Sequence, residues 1–92
     1  IGLGDTNPST REMLADMLLR FRQWDKAISE YNIVLATSPN RTASIGGLAF
    51  ALASKGEFEE ANRVLNIAIR KFPNDPNLAR ALTAVQKVQQ NP

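Results

Sequence analysis

Apolar residues recur along this chain at steps of three and four, the spacing of one side of an α-helix. They fall into five stretches, separated by short polar segments that contain residues typical of turns and helix ends. No stretch shows the alternation of a β-strand, so the pattern predicts an all-α fold of antiparallel helix pairs. The five predicted helices cover about Pro8–Arg20, Trp24–Thr37, Thr42–Lys55, Phe58–Lys71 and Pro76–Gln89.

Each predicted helix has an apolar side, which we expect to pack against the rest of the protein. In the first helix this stripe consists of Met13, Leu14, Met17, Leu18 and Phe21. The stripes of the second to fifth helices follow in chain order. They are Ala27, Ile28, Tyr31, Val34 and Leu35 in the second helix; Ile45, Leu48, Ala49 and Leu52 in the third; Ala61, Val64, Leu65, Ala68 and Ile69 in the fourth; and Leu78, Leu82, Val85 and Val88 in the fifth.

The second and fourth predicted helices match one another at an offset of 34 residues. The helix starts follow the same period, since Asn7-Pro8 and Asp75-Pro76 lie two periods apart. Each of these pairs is a good helix start, with an N-cap residue before a proline. Such a period is typical of solenoids, in which helix pairs stack in one direction. The matched residues are Trp24 and Phe58, Ala27 and Ala61, Tyr31 and Leu65, Val34 and Ala68, Leu35 and Ile69, and Pro39 and Pro73.

These positions resemble the tetratricopeptide repeat, whose pattern is W-x2-L-G-x2-Y, then A-x3-F, then P, in 34 residues. The second repeat fits best, although Ile45 takes the place of the tryptophan. In the first repeat Arg11 takes that place, and Arg22 takes the place of Gly56 in the turn between the helices, so we expect this turn to be either strained or differently shaped. The other matching residues of the second repeat are Leu48, Ala49, Leu52, Ala61, Leu65 and Pro73.

The resemblance implies a short right-handed α-solenoid of about two repeats and a C-terminal helix. We expect a lead-in loop over residues 1–7, repeats over 8–41 and 42–75, a third-unit or capping helix over 76–89, and a tail over 90–92. The chain begins without methionine, so we expect it to be either a fragment or a processed or trimmed product. It has fewer repeats than are usually needed for stability, which agrees with a fragment of a longer repeat protein. The last helix has apolar or small residues on more than one side. It is therefore either a cap or a surface that packs on further repeats or on a second copy, which makes a homo-oligomer possible.

Composition excludes several classes of function. The 92 residues include 11 basic and 9 acidic residues and have a net charge of +2, with no clustered basic stripe, which argues against nucleic-acid binding. Histidine and cysteine are both absent, so the usual general base, nucleophile and zinc ligands are missing. The carboxylates suggest solvated helix faces rather than a catalytic pair. We therefore predict no enzyme activity, no cofactor and no metal site, and the apolar runs are too short for a membrane span.

The resemblance implies a role as a protein–protein interaction scaffold that binds an extended peptide or a partner helix on a concave face. In this family the first helix of each pair lines that face, and the alternative function is self-association or assembly within a longer repeat protein. The corresponding residues here are Glu12, Asp16, Leu19 and Arg20 in the first repeat, Gly46, Phe50, Ala53 and Ser54 in the second, and Asn77, Arg80, Ala84 and Lys87 in the last helix.

Phe50 is the strongest candidate among them. It lies roughly opposite the core stripe of its helix, and Gly46 beside it leaves space for a partner side chain, as a glycine floor. Phe50 is therefore an anchor for a partner, a residue packed on flanking helices, or one covered by a neighbouring copy. The charges predict a groove that is acidic at Glu12 and Asp16 and basic towards the last helix, which suits a ligand of the opposite polarity. Because acids replace bases there, we do not expect the clamp with which some family members hold a chaperone's C-terminal carboxylate.

Overall fold

The computed structural model of the protein describes residues 7–90, which contain five α-helices and no strand. The predicted boundaries are confirmed to within one residue, because α3 ends one residue earlier than expected and α5 ends one residue later. Of the expected lead-in loop and tail, only Asn7 and Gln90 lie within the described residues, and Gln90 belongs to α5. The helices are α1 (Pro8–Arg20), α2 (Trp24–Thr37), α3 (Thr42–Ser54), α4 (Phe58–Lys71) and α5 (Pro76–Gln90).

Side-chain caps begin the first and last helices, as the Asn-Pro and Asp-Pro pairs predict. The Asn7 Oδ1 atom accepts a hydrogen bond from the Ser9 amide at 2.8 Å. The Asp75 Oδ1 atom accepts one from the Asn77 amide, also at 2.8 Å. Each side-chain oxygen thereby accepts a hydrogen bond from a backbone N–H group that has no partner within its helix.

The turn within each helix pair has the same backbone shape in both repeats. Gly56 has a φ of 96° and Arg22 a φ of 60°, so both residues lie in the left-handed region. The next amide donates back to the preceding helix in each case, from Glu57 to Leu52 at 2.8 Å and from Gln23 to Leu18 at 2.9 Å. Of the two expectations for the first turn, a different shape is wrong and strain is confirmed, since Arg22, which has a Cβ atom, holds a conformation that favours glycine.

The helices stack around α3, which contacts each of the other four. The first helices of the units, α1, α3 and α5, follow one another, because α3 contacts both of its counterparts. The described structure is elongated, with extents of 42 × 28 × 18 Å. Small residues permit the helices to cross closely. Four of them have no exposed surface: Ala15, Ala27, Ala49 and Ala61.

The predicted inward stripe of α1 is wrong for four of its five residues. Only Leu18 packs against the core, together with Leu19 and the buried Ala15. The other four are exposed, because α1 turns a different side towards α2 and α3, and no helix precedes α1 among residues 7–90. Their exposed fractions are 68% for Met13, 43% for Leu14, 54% for Met17 and 70% for Phe21.

Candidate functional site

The candidate residues of α1 are largely engaged in contacts within the protein. The Glu12 carboxylate accepts hydrogen bonds from Ser44 Oγ at 2.5 Å and from Arg41 Nε at 3.3 Å. Ser44 is completely buried, so these bonds join the middle of α1 to the beginning of α3. Glu12 therefore stabilises the contact between repeats, whereas Arg20, two helical turns later, is exposed.

Asp16 accepts a hydrogen bond from the hydroxyl of Tyr31, the only tyrosine of the chain. The Tyr31 ring has no exposed surface, whereas Asp16 is exposed. Burial raises the pKa of the Tyr31 hydroxyl well above its usual range, and the hydrogen bond to Asp16 and the nearby charges of Asp16 and Glu12 raise it further. Asp16 thus orients a buried side chain and keeps part of its own surface open to solvent.

Gly46 lies under α5. A Cβ atom built on Gly46 would be 3.1 Å from the Ala81 Cβ atom and 3.4 Å from the Asn77 carbonyl oxygen. The space beside Phe50 that the sequence suggested as a glycine floor is therefore occupied by α5. Ala53 on the same helix is also buried, and Ser54 is half-buried.

Phe50 is half-buried and packs against the second helix of the first repeat. Its ring meets that of Trp24 edge to face, with centroids 6.4 Å apart and an angle of 82° between the planes. Such an arrangement is favourable for aromatic rings. Trp24 is also half-buried, so the two rings form an aromatic pair that remains partly open to solvent. Sequence reasoning missed Trp24 as a site residue, because its match with Phe58 marked it only as part of the repeat.

The candidate residues of α5 include two basic side chains, those of Arg80 and Lys87. Arg80 is exposed, and its Nη2 atom donates to the Asn77 side-chain oxygen at 2.9 Å. Asn77 in turn donates to Thr42 Oγ1 at 3.1 Å, which fixes its position against the start of α3. Lys87 is exposed and Ala84 half-buried, and both line a shallow depression that also includes Arg80.

A second depression, of about 210 Å³, lies along α4 and is mainly apolar. Sequence reasoning did not identify it, although Ile67, which is 49% exposed, stands outside the predicted core stripe of α4. Its lining residues are Pro39, Ile45, Val64, Ile67, Ala68, Lys71 and Phe72.

In the part of the chain that the structure describes, three or more acidic residues never gather as they would around a metal ion. Over the same residues, 7–90, every helix is too short or too polar to span a membrane.

Comparison with known proteins agrees with the repeat architecture. A family model for the tetratricopeptide repeat matches residues 18–85, most of the chain. The match leaves out the greater part of α1, the helix in which Arg11 takes the tryptophan place. Searches of curated proteins and of solved structures found no match. Tetratricopeptide repeats are generally protein–protein interaction modules and are typically not catalytic. With its 34-residue period, its stacked helix pairs and this match, the chain belongs to the tetratricopeptide repeat family.

Proposed function

We propose that this protein binds an extended peptide or a helix of a partner protein along the face formed by α1, α3 and α5. The observation that carries the proposal is the aromatic pair formed by Phe50, on the central helix α3 of that face, and Trp24, at the start of α2. Both residues stay partly open to solvent. Aromatic side chains in a partly desolvated position are frequent anchors in protein–protein contacts. The partner would place an apolar side chain against this pair.

Charges on both sides of the aromatic pair give the partner a direction. Arg80 and Lys87 lie on α5 and are exposed, so they favour acidic residues at one end of the bound segment. At the α1 end, Glu12 is bonded to Ser44 and Arg41, which leaves Asp16 as the more accessible acid. The basic end is therefore the stronger determinant of charge selectivity in this proposal.

The experiment selects linear peptides from a displayed random library and measures their affinity by fluorescence anisotropy. We expect Arg80→Glu to weaken the selected peptides by about tenfold, which corresponds to about 1.4 kcal/mol of binding free energy. Phe50→Ala should weaken them at least as much, measured below its own melting temperature. The matched control is Arg70→Glu, which reverses an exposed arginine on α4 and should leave affinity within about twofold.

Equal losses for Arg80→Glu and Arg70→Glu would mean that only net charge matters, and the proposal would fail. Full affinity in Phe50→Ala would exclude the aromatic pair as an anchor.

The exposed apolar residues of α1 support a second role, assembly with further helices. This role uses residues on the N-terminal end of the stack, above all Met13, Met17 and Phe21, and is independent of peptide binding.

A further inference from the structure

The apolar depression along α4 lies at a place where the repeat pattern has a tryptophan. This chain has Ile45 there. Ile45 lines the depression and is only 8% exposed, so its side chain forms part of the floor. Because isoleucine lacks the indole ring of tryptophan, the space above Ile45 stays open.

The first repeat fills the same place differently. At the 34-residue offset, Arg11 and Glu30 correspond to Ile45 and Val64. The Arg11 Nη1 and Glu30 Oε1 atoms are 2.8 Å apart, so an ion pair spans the place in the first repeat. In the second repeat both residues are apolar and line the depression. The second repeat therefore offers an apolar surface where the first has a charged bridge.

Stacking of repeats does not cover this part of a repeat. Ile33 on α2 is the counterpart of Ile67 on α4, and a complete second repeat follows α2. Ile33 nevertheless remains 43% exposed, and Ile67 is 49% exposed. The occupant of the depression is thus expected to be something other than a neighbouring repeat.

The size of the depression suits a single large side chain. Its volume of about 210 Å³ is below the roughly 300–1,000 Å³ of typical small-molecule sites. Val64, Ala68 and the half-buried Phe72 give it apolar walls. Aromatic side chains bury much apolar area and are frequent anchors in protein–protein contacts. An aromatic ring of a partner therefore fits both the size and the chemistry of the depression.

The charges beside the depression favour an acidic partner. Lys71 is the one charged residue among those that line it, and Arg70 lines a neighbouring depression that shares Ile67. Both basic residues are exposed, and within residues 7–90 neither forms an ion pair. Glu59, at the beginning of α4, is about 16 Å from Arg70 along the helix axis. An acidic residue of a partner can therefore pair with Lys71 or Arg70 without displacing an internal carboxylate.

We propose that this depression binds an aromatic side chain of a partner protein, and that an acidic residue beside that side chain pairs with Lys71 or Arg70. The partner's ring takes the space that the repeat pattern gives to its own tryptophan. The residues of this second site are different from the candidate residues on α1, α3 and α5. The inference therefore does not depend on the function proposed for that face.

The test titrates the acetylated and amidated pentapeptide Asp-Glu-Trp-Glu-Asp into protein with labelled isoleucine methyl groups and follows NMR spectra. A bound indole ring should shift the methyl signals of Ile45 and Ile67 upfield and saturably, with a Kd of about 1 mM. Replacing the tryptophan of the pentapeptide by alanine, or its four acids by lysines, should weaken binding by about fivefold or more.

Three substitutions in the protein test the site itself. Ile45→Trp should fill the depression from within, weaken the pentapeptide by about tenfold or more, and leave the melting temperature at or above that of the parent. Ile67→Ala should weaken it by about threefold, because the rim loses apolar area. Lys71→Glu should weaken it by about fivefold.

Two matched controls accompany these variants. Ile33→Ala removes the counterpart of Ile67 in the first repeat, and Lys26→Glu reverses an exposed lysine on α2. Each should leave the affinity for the pentapeptide within about twofold of the parent. If Ile45→Trp does not fold, the comparison of Ile67→Ala with Ile33→Ala decides, since both residues are substantially exposed.

Several results would overturn the proposal. They are the absence of saturable methyl shifts at several millimolar pentapeptide, full affinity in a folded Ile45→Trp variant, equal effects of Ile67→Ala and Ile33→Ala, and equal binding of the lysine pentapeptide.

The same titration separates this site from the face formed by α1, α3 and α5. Arg80→Glu should leave the shifts at Ile45 and Ile67 unchanged. Shifts confined to the surroundings of Phe50 and Arg80 would assign the pentapeptide to that face and overturn the second site. Either proposal can therefore fail alone.

Discussion

The ring of Tyr31 occupies the space that a side chain on Gly47 would need. A Cβ atom built on Gly47 would lie 2.3 Å from Cζ and 2.4 Å from the hydroxyl oxygen of Tyr31. The glycine lowers the helix propensity of α3 by about 1 kcal/mol relative to alanine. In return, the largest fully buried side chain of the described core fits between α2 and α3 and reaches Asp16.

Gly47→Ala should destabilise the protein by about 2 kcal/mol, because overpacking a core costs more than the gain in helix propensity. Tyr31→Leu in the same chain should recover about 1 kcal/mol, since it recreates the Leu65 and Ala81 combination of the next repeat. Urea unfolding of the single and double variants measures this coupling. Additive effects would show that the two side chains do not compete for space.

The ion pair of Arg11 and Glu30 takes the place that Ile45 and Val64 hold in the second repeat. The Arg11 Nη1 and Glu30 Oε1 atoms are 2.8 Å apart and partly buried, while the Arg11 Nε atom is buried without a partner. Glu30→Val alone should cost about 1–2 kcal/mol, because it leaves Arg11 unpaired. The double variant Arg11→Ile with Glu30→Val should be as stable as the parent protein or more stable, as measured by urea unfolding. A double variant less stable than Glu30→Val would contradict this interpretation.

The raised pKa of Tyr31 makes stability depend on pH in alkaline solution. The folded state holds the Tyr31 proton more tightly than the unfolded state, whose tyrosine pKa is about 10. Stability from this group is thus fully present below about pH 10. It falls above that pH by up to about 1.4 kcal/mol per unit, because the unfolded state loses its proton first.

Tyr31→Phe isolates this effect, since the chain has a single tyrosine. The difference in stability between the parent and Tyr31→Phe should shrink as the pH rises above 10, while the lysines titrate alike in both. Ultraviolet absorbance of the tyrosinate follows the ionisation directly. Ionisation of the folded protein near pH 10 would contradict the buried, hydrogen-bonded environment.

Asp75 joins the start of α5 to the start of α3. One carboxylate oxygen accepts from the Asn77 amide, and the other accepts from Thr42 Oγ1 at 2.8 Å. Asp75→Ala should therefore cost about 1–2 kcal/mol, the usual loss for an N-cap. Asp75→Asn should retain most of the stability, and Asn74→Ala, at an exposed neighbour, should change it little. Thermal unfolding compares the three variants, and equal losses for Asp75→Ala and Asn74→Ala would exclude a capping role.

Local signals were sufficient to predict much of the fold. The helix boundaries follow from apolar periodicity, the starts of α1 and α5 from Asn7 and Asp75, and the strain at Arg22 from its match with Gly56. Each of these features depends on residues close together in the chain.

The arrangement of the site depended on contacts between repeats, which the sequence pattern does not contain. The periodicity of apolar residues identifies an apolar side of α1, but it does not show whether another helix covers Met13 and Phe21. The hydrogen bond between Ser44 and Glu12 joins residues 32 positions apart, and α5 covers Gly46 from a similar distance. Such contacts are set by how helices cross, which small differences in side-chain volume decide.

The most direct test of the proposed binding on the face formed by α1, α3 and α5 is amide chemical-shift mapping by NMR with a selected peptide. The proposal predicts perturbed amides on α1, α3 and α5, centred near Phe50 and extending to Arg80. Perturbations confined to the outer surface of α2 and α4, such as the depression beside Ile67, would contradict it.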